Sequence, residues 1–203
     1  KCKDEVYRME KVRVDDQRID VVDDFILPSE LVELRKDLNH FDWNAFETDI
    51  YKGQRVLSGM IADLPDKWRN MLDDRMISQA KALNDEEYSI FRAYLNAWKC
   101  DDVSLPHHDG NHTTVVVYCN RDYNVTYGGE TIFYDNNEDV IGAVSPKPGR
   151  AVFFNGWMLH KAGSFNRLYQ HDYRYTLAYK LTVDGDEEYA IKHGAELANS
   201  YGE

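Results

Sequence analysis

From Tyr88 to Leu181 the hydrophobic pattern of this 203-residue chain has a period of two, and no helical period interrupts it. The first run is Tyr88-Ser-Ile-Phe-Arg-Ala-Tyr-Leu-Asn-Ala-Trp98, and strand-like segments follow at 113-120, 130-134, 139-145, 150-155 and 173-181. Their separators, 124-129, Asn136-Asn137 and 147-149, carry turn chemistry. The two clear helical patterns lie before this series. Helices first and then six or more short strands predict a mainly β fold: a double-stranded β-helix, the cupin-like jelly roll, with N-terminal helices packed on one sheet.

Upstream, 17-27 reads as a strand, through Ile19, Val21 and Val22 into Phe25, Ile26 and Leu27, and Pro28-Ser29 ends it. Ser29 is placed to cap a helix running to about Asn39, with Glu30 and Glu33 near its start and Leu31, Leu34 and Leu38 on one face. Residues 42-59 mix Trp43, Phe46, Tyr51, Gly53 and Arg55 without a sustained period, so a short strand pair or a mobile loop is expected, a candidate lid. Pro65-Asp66 opens a second helix whose apolar positions Trp68, Met71, Leu72, Met76, Ala80 and Leu83 recur at helical spacing as far as Asn84. The expected organisation is one domain over 1-203: strand and helix support with the candidate lid in 17-90, a strand core in 91-181 and a weakly helical peripheral tail in 182-203.

Charge narrows the partners. Acidic residues outnumber basic ones by 36 to 24, a net charge of -12, which disfavours nucleic acid and anionic membrane. No apolar run approaches the ~20 residues needed to span a bilayer, and 1-16 is charged where a signal peptide is apolar, so a cytoplasmic protein is expected. Three cysteines without C-x-x-C spacing indicate neither a disulfide framework nor a zinc knuckle.

The chemistry concentrates at His107-His108-Asp109-Gly110. In extended backbone His107 and Asp109 point to the same side and can grip one ion. An isolated His-x-Asp is commonly a surface turn. Here it is followed in order by Gly128-Gly129-Glu130-Thr131, Pro148-Gly149-Arg150, the apolar strand Ala151-Val-Phe-Phe154, His160 and Arg174. His160 is the expected third ligand. His112 would have to fold back over a short loop, and His171 lies three residues before Arg174 and competes for the same strand end. His108 points away from His107 and is assigned to the second shell or the substrate side. Two histidines and one carboxylate on one face, with open positions opposite, suit ferrous iron. Arg174, flanked by Tyr173, Tyr175, Leu177 and Tyr179, lies in a strand apolar enough to bury it, and a buried guanidinium requires an anion. Tyr94 and Tyr118 on alternating strands would by themselves be ordinary half-buried aromatics.

Taken together, these residues resemble the iron(II)- and 2-oxoglutarate-dependent oxygenases, and within them the prolyl 4-hydroxylase branch that includes the hypoxia-sensing prolyl hydroxylases. The resemblance is specific from Tyr94 to Leu181 and looser from Gln17 to Leu38. It implies iron ligation by His107, Asp109 and His160. It implies Arg174 and Tyr118 on the distal carboxylate of 2-oxoglutarate, with Tyr94 near the metal and Thr176 also on the co-substrate. The implied cofactors are Fe(II), 2-oxoglutarate, dioxygen and ascorbate, and the implied products are succinate, carbon dioxide and a hydroxylated C–H bond. Asp109 matters here, because a halogenase of this class needs a small residue in its place. The departures from the branch pattern are 42-59 and the long insert between Tyr94 and His107, both substrate-facing in the family.

The expected substrate is a prolyl residue of a peptide or protein, for which Trp43, Phe46, Tyr51 and Trp157 would line a groove. The alternatives are a free amino acid or other small metabolite, and, from a different class, a non-catalytic cupin-like metal-binding or sensing protein. Nucleic-acid demethylation is opposed by the charge, with Lys180 near where such enzymes carry a second arginine.

Overall fold

The structure, a computed structural model, describes residues 9–14, 17–100, 102–166 and 173–183. Its strands are β1 (Met9–Val14), β2 (Gln17–Val22), β3 (Asn44–Tyr51), β4 (Gln54–Asp63), β5 (Tyr88–Trp98), β6 (Thr113–Tyr118), β7 (Thr131–Tyr134), β8 (Val140–Val144), β9 (Ala151–Asn155), β10 (His160–Ala162) and β11 (Arg174–Val183). They form two antiparallel sheets, one in the order β1-β2-β9-β6-β11-β5-β4-β3 and the other β10-β7-β8. This is the mainly β jelly roll expected. The helices α1 (Pro28–Asp37) and α2 (Asp66–Asn84) both contribute to a core built on the large sheet, through Leu31, Leu34, Trp68, Leu72 and Met76. Trp68, Leu72 and Met76 are fully buried.

Period-two alternation sorts each central strand into two chemical sets. On β11, Tyr175, Leu177, Tyr179 and Leu181 enter the helix-side core, while Arg174, Thr176, Ala178 and Lys180 line a cavity on the other face. On β6, Val115 and Val117 join the helix side; Thr114 and Val116 face the cavity. On β5, Ala93, Leu95 and Ala97 pack with the helices, leaving Tyr94, Asn96 and Trp98 to the cavity. A second apolar cluster, including Ile19, Phe133, Val152, Phe154 and Met158, joins the large sheet to the small one. The helix-side face of the large sheet is therefore mainly apolar, and the other face is apolar at β2 and β9 and carries its polar groups on β5, β6 and β11.

Three expectations are corrected, and the choice between strand pair and loop at 42-59 is decided for the strand pair. The first strand stops at Val22, and the chain turns before α1. Ser29 does not cap that helix: it begins at Pro28, the cap is Leu27, and the Glu30 carboxylate accepts the Leu27 N–H at 2.9 Å. Proline at the first helical position needs no N–H partner, which sets the start two residues earlier. Glu30 also takes both guanidinium nitrogens of Arg75 at 2.7 Å, tying α1 to α2. Residues 42-59 resolve as a strand pair whose second strand runs on to Asp63, where it joins β5. Its two-residue turn uses left-handed backbone at Lys52 and Gly53, which suits a tight hairpin. Lys52 pairs with Glu138 in the β7–β8 turn. Finally, Trp43 does not line a groove: its indole N–H donates to Leu38 O at 2.8 Å and its ring lies 5.8 Å from Tyr175, on the helix side. The side chain of Phe46, the tail from 184 and His171 lie outside the described residues.

No described helix is long and apolar enough to cross a membrane. β10, three residues long, was not anticipated; it is too short to show a period.

Candidate metal and oxoacid site

His107 and His160 meet in an isolated antiparallel bridge, each N–H donating to the other's carbonyl at 2.9 and 3.1 Å. The imidazole Nδ1 of His107 donates to Leu105 O at 2.9 Å, and that of His160 to Met158 O at 2.8 Å. Only an N–H can pair with a carbonyl, so in both rings the proton sits on Nδ1 and the Nε2 lone pair is presented. Asp109 completes the cluster, with Oδ1 at 3.9 Å from His107 Nε2 and Oδ2 at 3.4 Å from His160 Nε2. The ligand atoms of these three residues all lie within 4.8 Å of one another, a group able to hold a metal ion.

Backbone contacts fix the carboxylate. Asp109 N–H donates to Gly156 O at 2.7 Å, and Gly156 N–H donates to His112 O at 2.7 Å. A side chain at Gly156 would place its Cβ 2.6 Å from Gly110 O and 3.2 Å from the Asp109 Cβ, so only glycine fits here. Around the carboxylate, Thr114 Oγ1 donates to Oδ2 at 2.7 Å, and the Lys180 ammonium pairs with the same oxygen. Burial alone would raise the Asp109 pKa, but the positive charge of Lys180 beside it outweighs burial and holds the carboxyl well below the usual range. Burial pushes the His160 pKa down, which keeps the ring neutral and available as a ligand.

Arg174 is buried at the opposite end of the inner β11 series. Its Nε donates to Gly129 O at 2.8 Å, and its guanidinium carbon lies 5.4 Å from the Tyr118 ring centroid. Gly129 adopts left-handed backbone, at φ +83°, which favours glycine at the position whose carbonyl holds the arginine. Burial lowers the Arg174 pKa from its ordinary value, and the nearby Tyr118 and Glu130 oppose that shift. Arg174, Thr176, Tyr94, His107, Asp109 and His160 all line one open cavity of about 540 Å³.

Other expectations fall differently. Tyr118 is fully buried beneath Arg174, with its hydroxyl paired to Thr131 Oγ1 at 2.6 Å and donating to Val144 O at 3.1 Å. His108 lies outside the cluster: it is exposed, and its Nδ1 donates to Trp157 O at 2.7 Å. His112 is no ligand. Its ring packs edge-on against Phe91, and burial together with the Lys180 charge lowers its pKa to about 4. Sequence reasoning gave no role in the site to Thr114, Gly156 and Asn96, and it mentioned Lys180 only in another connection. Asn96 faces the cavity with a buried Oδ1 that has no partner among the described residues. A period-two register through Arg174 would have brought Lys180 to the same face; nothing local marks Gly156.

Residues 90–181 match the family model described as the 2OG-Fe(II) oxygenase superfamily. No curated protein gives a significant match. Among solved structures, HygX from Streptomyces hygroscopicus with nickel and 2-oxoglutarate bound is 13% identical, with a TM-score of 0.62 over 82% of this chain and 83% of that one. A Trichoplax adhaerens prolyl hydroxylase in complex with a hypoxia inducible factor oxygen degradation domain peptide fragment is 16% identical, with a TM-score of 0.58 over 84% and 86%. A Pseudomonas putida prolyl-4-hydroxylase is 17% identical, with a TM-score of 0.56 over 82% and 93%. At these identities the likeness is one of fold. The His107, Asp109 and His160 cluster fits the iron site of that superfamily.

Proposed function

We propose that this protein, whose residues 90–181 carry the 2OG-Fe(II) oxygenase superfamily core, is an iron(II)- and 2-oxoglutarate-dependent hydroxylase of a prolyl residue in a peptide or protein. The observation that carries the oxygenase assignment is one cavity lined at one end by two histidines and a carboxylate and at the other by a buried arginine. A dicarboxylic oxoacid needs both ends at once.

His107, Asp109 and His160 are the metal ligands in this reading. Their donor set, two neutral imidazole nitrogens and one carboxylate, suits ferrous iron, and the backbone bonds to both Nδ1 atoms hold the rings ready. Iron(II) held there supplies the activation of dioxygen that couples decarboxylation of 2-oxoglutarate to C–H hydroxylation. Arg174 binds the far carboxylate by charge-assisted hydrogen bonds. The Nε bond to Gly129 O fixes the plane of the guanidinium, so the oxoacid is admitted in one orientation. Tyr118 supports that arginine from below, and Thr176 and Tyr94 line the path between the two ends. Val116 and Ala178 give the cavity an apolar stretch that limits water there.

The prolyl substrate is supported by the sequence resemblance to the prolyl 4-hydroxylase branch and by the exposed Trp157 beside His108, an aromatic surface next to the ligand bridge. A small-metabolite substrate is the second reading, favoured by the likeness to HygX, which is also solved with hygromycin B bound. We also read 1-203 as a single oxygenase domain. Iron-dependent succinate formation from 2-oxoglutarate, measured for the protein and for His107→Ala with and without a proline-peptide library, tests the assignment. Stimulation by particular peptides supports the prolyl reading, and stimulation by free amino acids alone supports the metabolite reading. No succinate from folded, iron-loaded protein leaves a metal-binding or sensing role.

A further inference from the structure

Lys180 is 6% exposed, a depth at which lysine is stable only when paired. Its ammonium pairs with Asp109 Oδ2 and donates to Thr114 Oγ1 at 3.2 Å, while Thr114 Oγ1 donates to the same Oδ2 at 2.7 Å. The three groups close a triangle on one carboxylate oxygen. The sheet builds it directly, because Lys180 of β11 and Thr114 of β6 are register partners on adjacent strands.

We propose that Lys180, with Thr114, is a positioning residue that restricts Asp109 to binding metal through a single oxygen; this rests on the functional reading above. A carboxylate oxygen has two lone-pair sites. Oδ2 lies 3.4 Å from His160 Nε2, but an ammonium and a hydroxyl occupy its lone pairs, and metal binding is left to Oδ1, 3.9 Å from His107 Nε2. A carboxylate free of such donors can chelate through both oxygens and take a second coordination position. In a site that must admit a chelating oxoacid and dioxygen, that second position is one the chemistry needs. The clamp also sets charge: the ammonium offsets the carboxylate, so the three ligands and Lys180 together are neutral before metal arrives.

The test uses cobalt(II), whose visible ligand-field absorption reports coordination number. Wild type, Lys180→Met, Lys180→Arg and Thr114→Val are loaded anaerobically with cobalt(II), and 2-oxoglutarate is titrated against the spectrum. The expected result is that Lys180→Met still binds one cobalt but with an altered spectrum and at least tenfold weaker 2-oxoglutarate binding. Thr114→Val shifts the same way to a lesser extent, and Lys180→Arg lies closer to wild type. A folded Lys180→Met protein whose spectrum and oxoacid affinity stay within twofold of wild type overturns the proposal and leaves Lys180 as a neutralising partner only. Should Lys180→Met fail to fold, Thr114→Val decides by the same criteria. Wild type that binds cobalt but no 2-oxoglutarate overturns the functional reading first, a result distinguishable from equal behaviour of wild type and variant.

Discussion

His107 and His160 face each other across a two-residue antiparallel bridge, and their ring centroids are 4.5 Å apart. The bridge is made by main-chain groups alone, so the two imidazoles are held as a pair by bonds that no side-chain substitution removes.

Replacing either imidazole should therefore abolish metal binding while leaving the fold in place. His107→Ala and His160→Ala are each expected to weaken iron(II) binding by more than about 100-fold, beyond the ~10–100-fold typical of losing a group that only orients a ligand. Metal content after equilibrium dialysis reads this. The urea midpoint of the metal-free protein should move little for His107→Ala, whose ring is partly exposed. A His107→Ala protein that keeps one tightly bound iron would place the metal elsewhere.

Arg174→Met should separate the two ends of the cavity. Loss of charge-assisted hydrogen bonds worth about 1.5–3 kcal/mol predicts 2-oxoglutarate binding weaker by about 10–100-fold, with metal affinity unchanged. Arg174→Lys should recover only part of the loss, since an ammonium cannot both hold Gly129 O and present a planar fork to the acid. Oxoacid titration of metal-loaded protein is the measurement, and equal affinity in Arg174→Met would remove Arg174 from the site.

Gly156→Ala is expected to damage the site from behind. Its Cβ would lie 2.6 Å from Gly110 O and 3.0 Å from His112 O, and relieving that crowding should cost about 1–3 kcal/mol and displace Asp109. Weaker metal binding together with a lower thermal midpoint is the expected pairing. Unchanged values for both would show that the loop yields freely.

The metal-free protein should lose stability on acidification partly through His112. Its folded pKa is lowered to about 4, against 6.5 ordinarily, by burial and by Lys180. Between those values the unfolded chain binds a proton that the folded chain refuses, so stability rises with pH across this window and falls as pH drops through it. The full effect is about 3 kcal/mol. Urea unfolding of wild type and His112→Phe between pH 7 and 4.5 should show the shallower decline in the variant; parallel curves would contradict the assignment.

Much of this was legible from residue order. The helical spacing of Trp68, Leu72 and Met76, the alternation from Tyr88 to Trp98 and the succession His107, Asp109, His160, Arg174 are local signals, each created by a face of one element. What was not legible depends on pairing between distant segments. β10 exists because His160 to Ala162 meets Phe133 to Thr131, and three residues carry no period of their own. Trp43 looked like a surface aromatic until the β3–β4 hairpin placed it over Tyr175 on the helix side. Gly156 is unremarkable in sequence, and its necessity comes from Gly110 O approaching its α-carbon. Lys180 was weighed only against the second arginine of nucleic-acid demethylases, because its partner Thr114 lies across the sheet and not along the chain.

The two-sided character of β11 has a practical consequence for anyone who wishes to alter this protein. Between Arg174 and Leu181 the even-numbered positions belong to the cavity and the odd-numbered ones to the helix-side core, so two specifications are written in alternate letters of one line. A library confined to the odd positions can search for thermal tolerance while the reactive face stays fixed. One confined to Thr176 and Ala178 can search for new specificity without touching the core. A single inserted residue within the strand would exchange the two scripts at a stroke, presenting tyrosines to the cavity and a lysine to the helices.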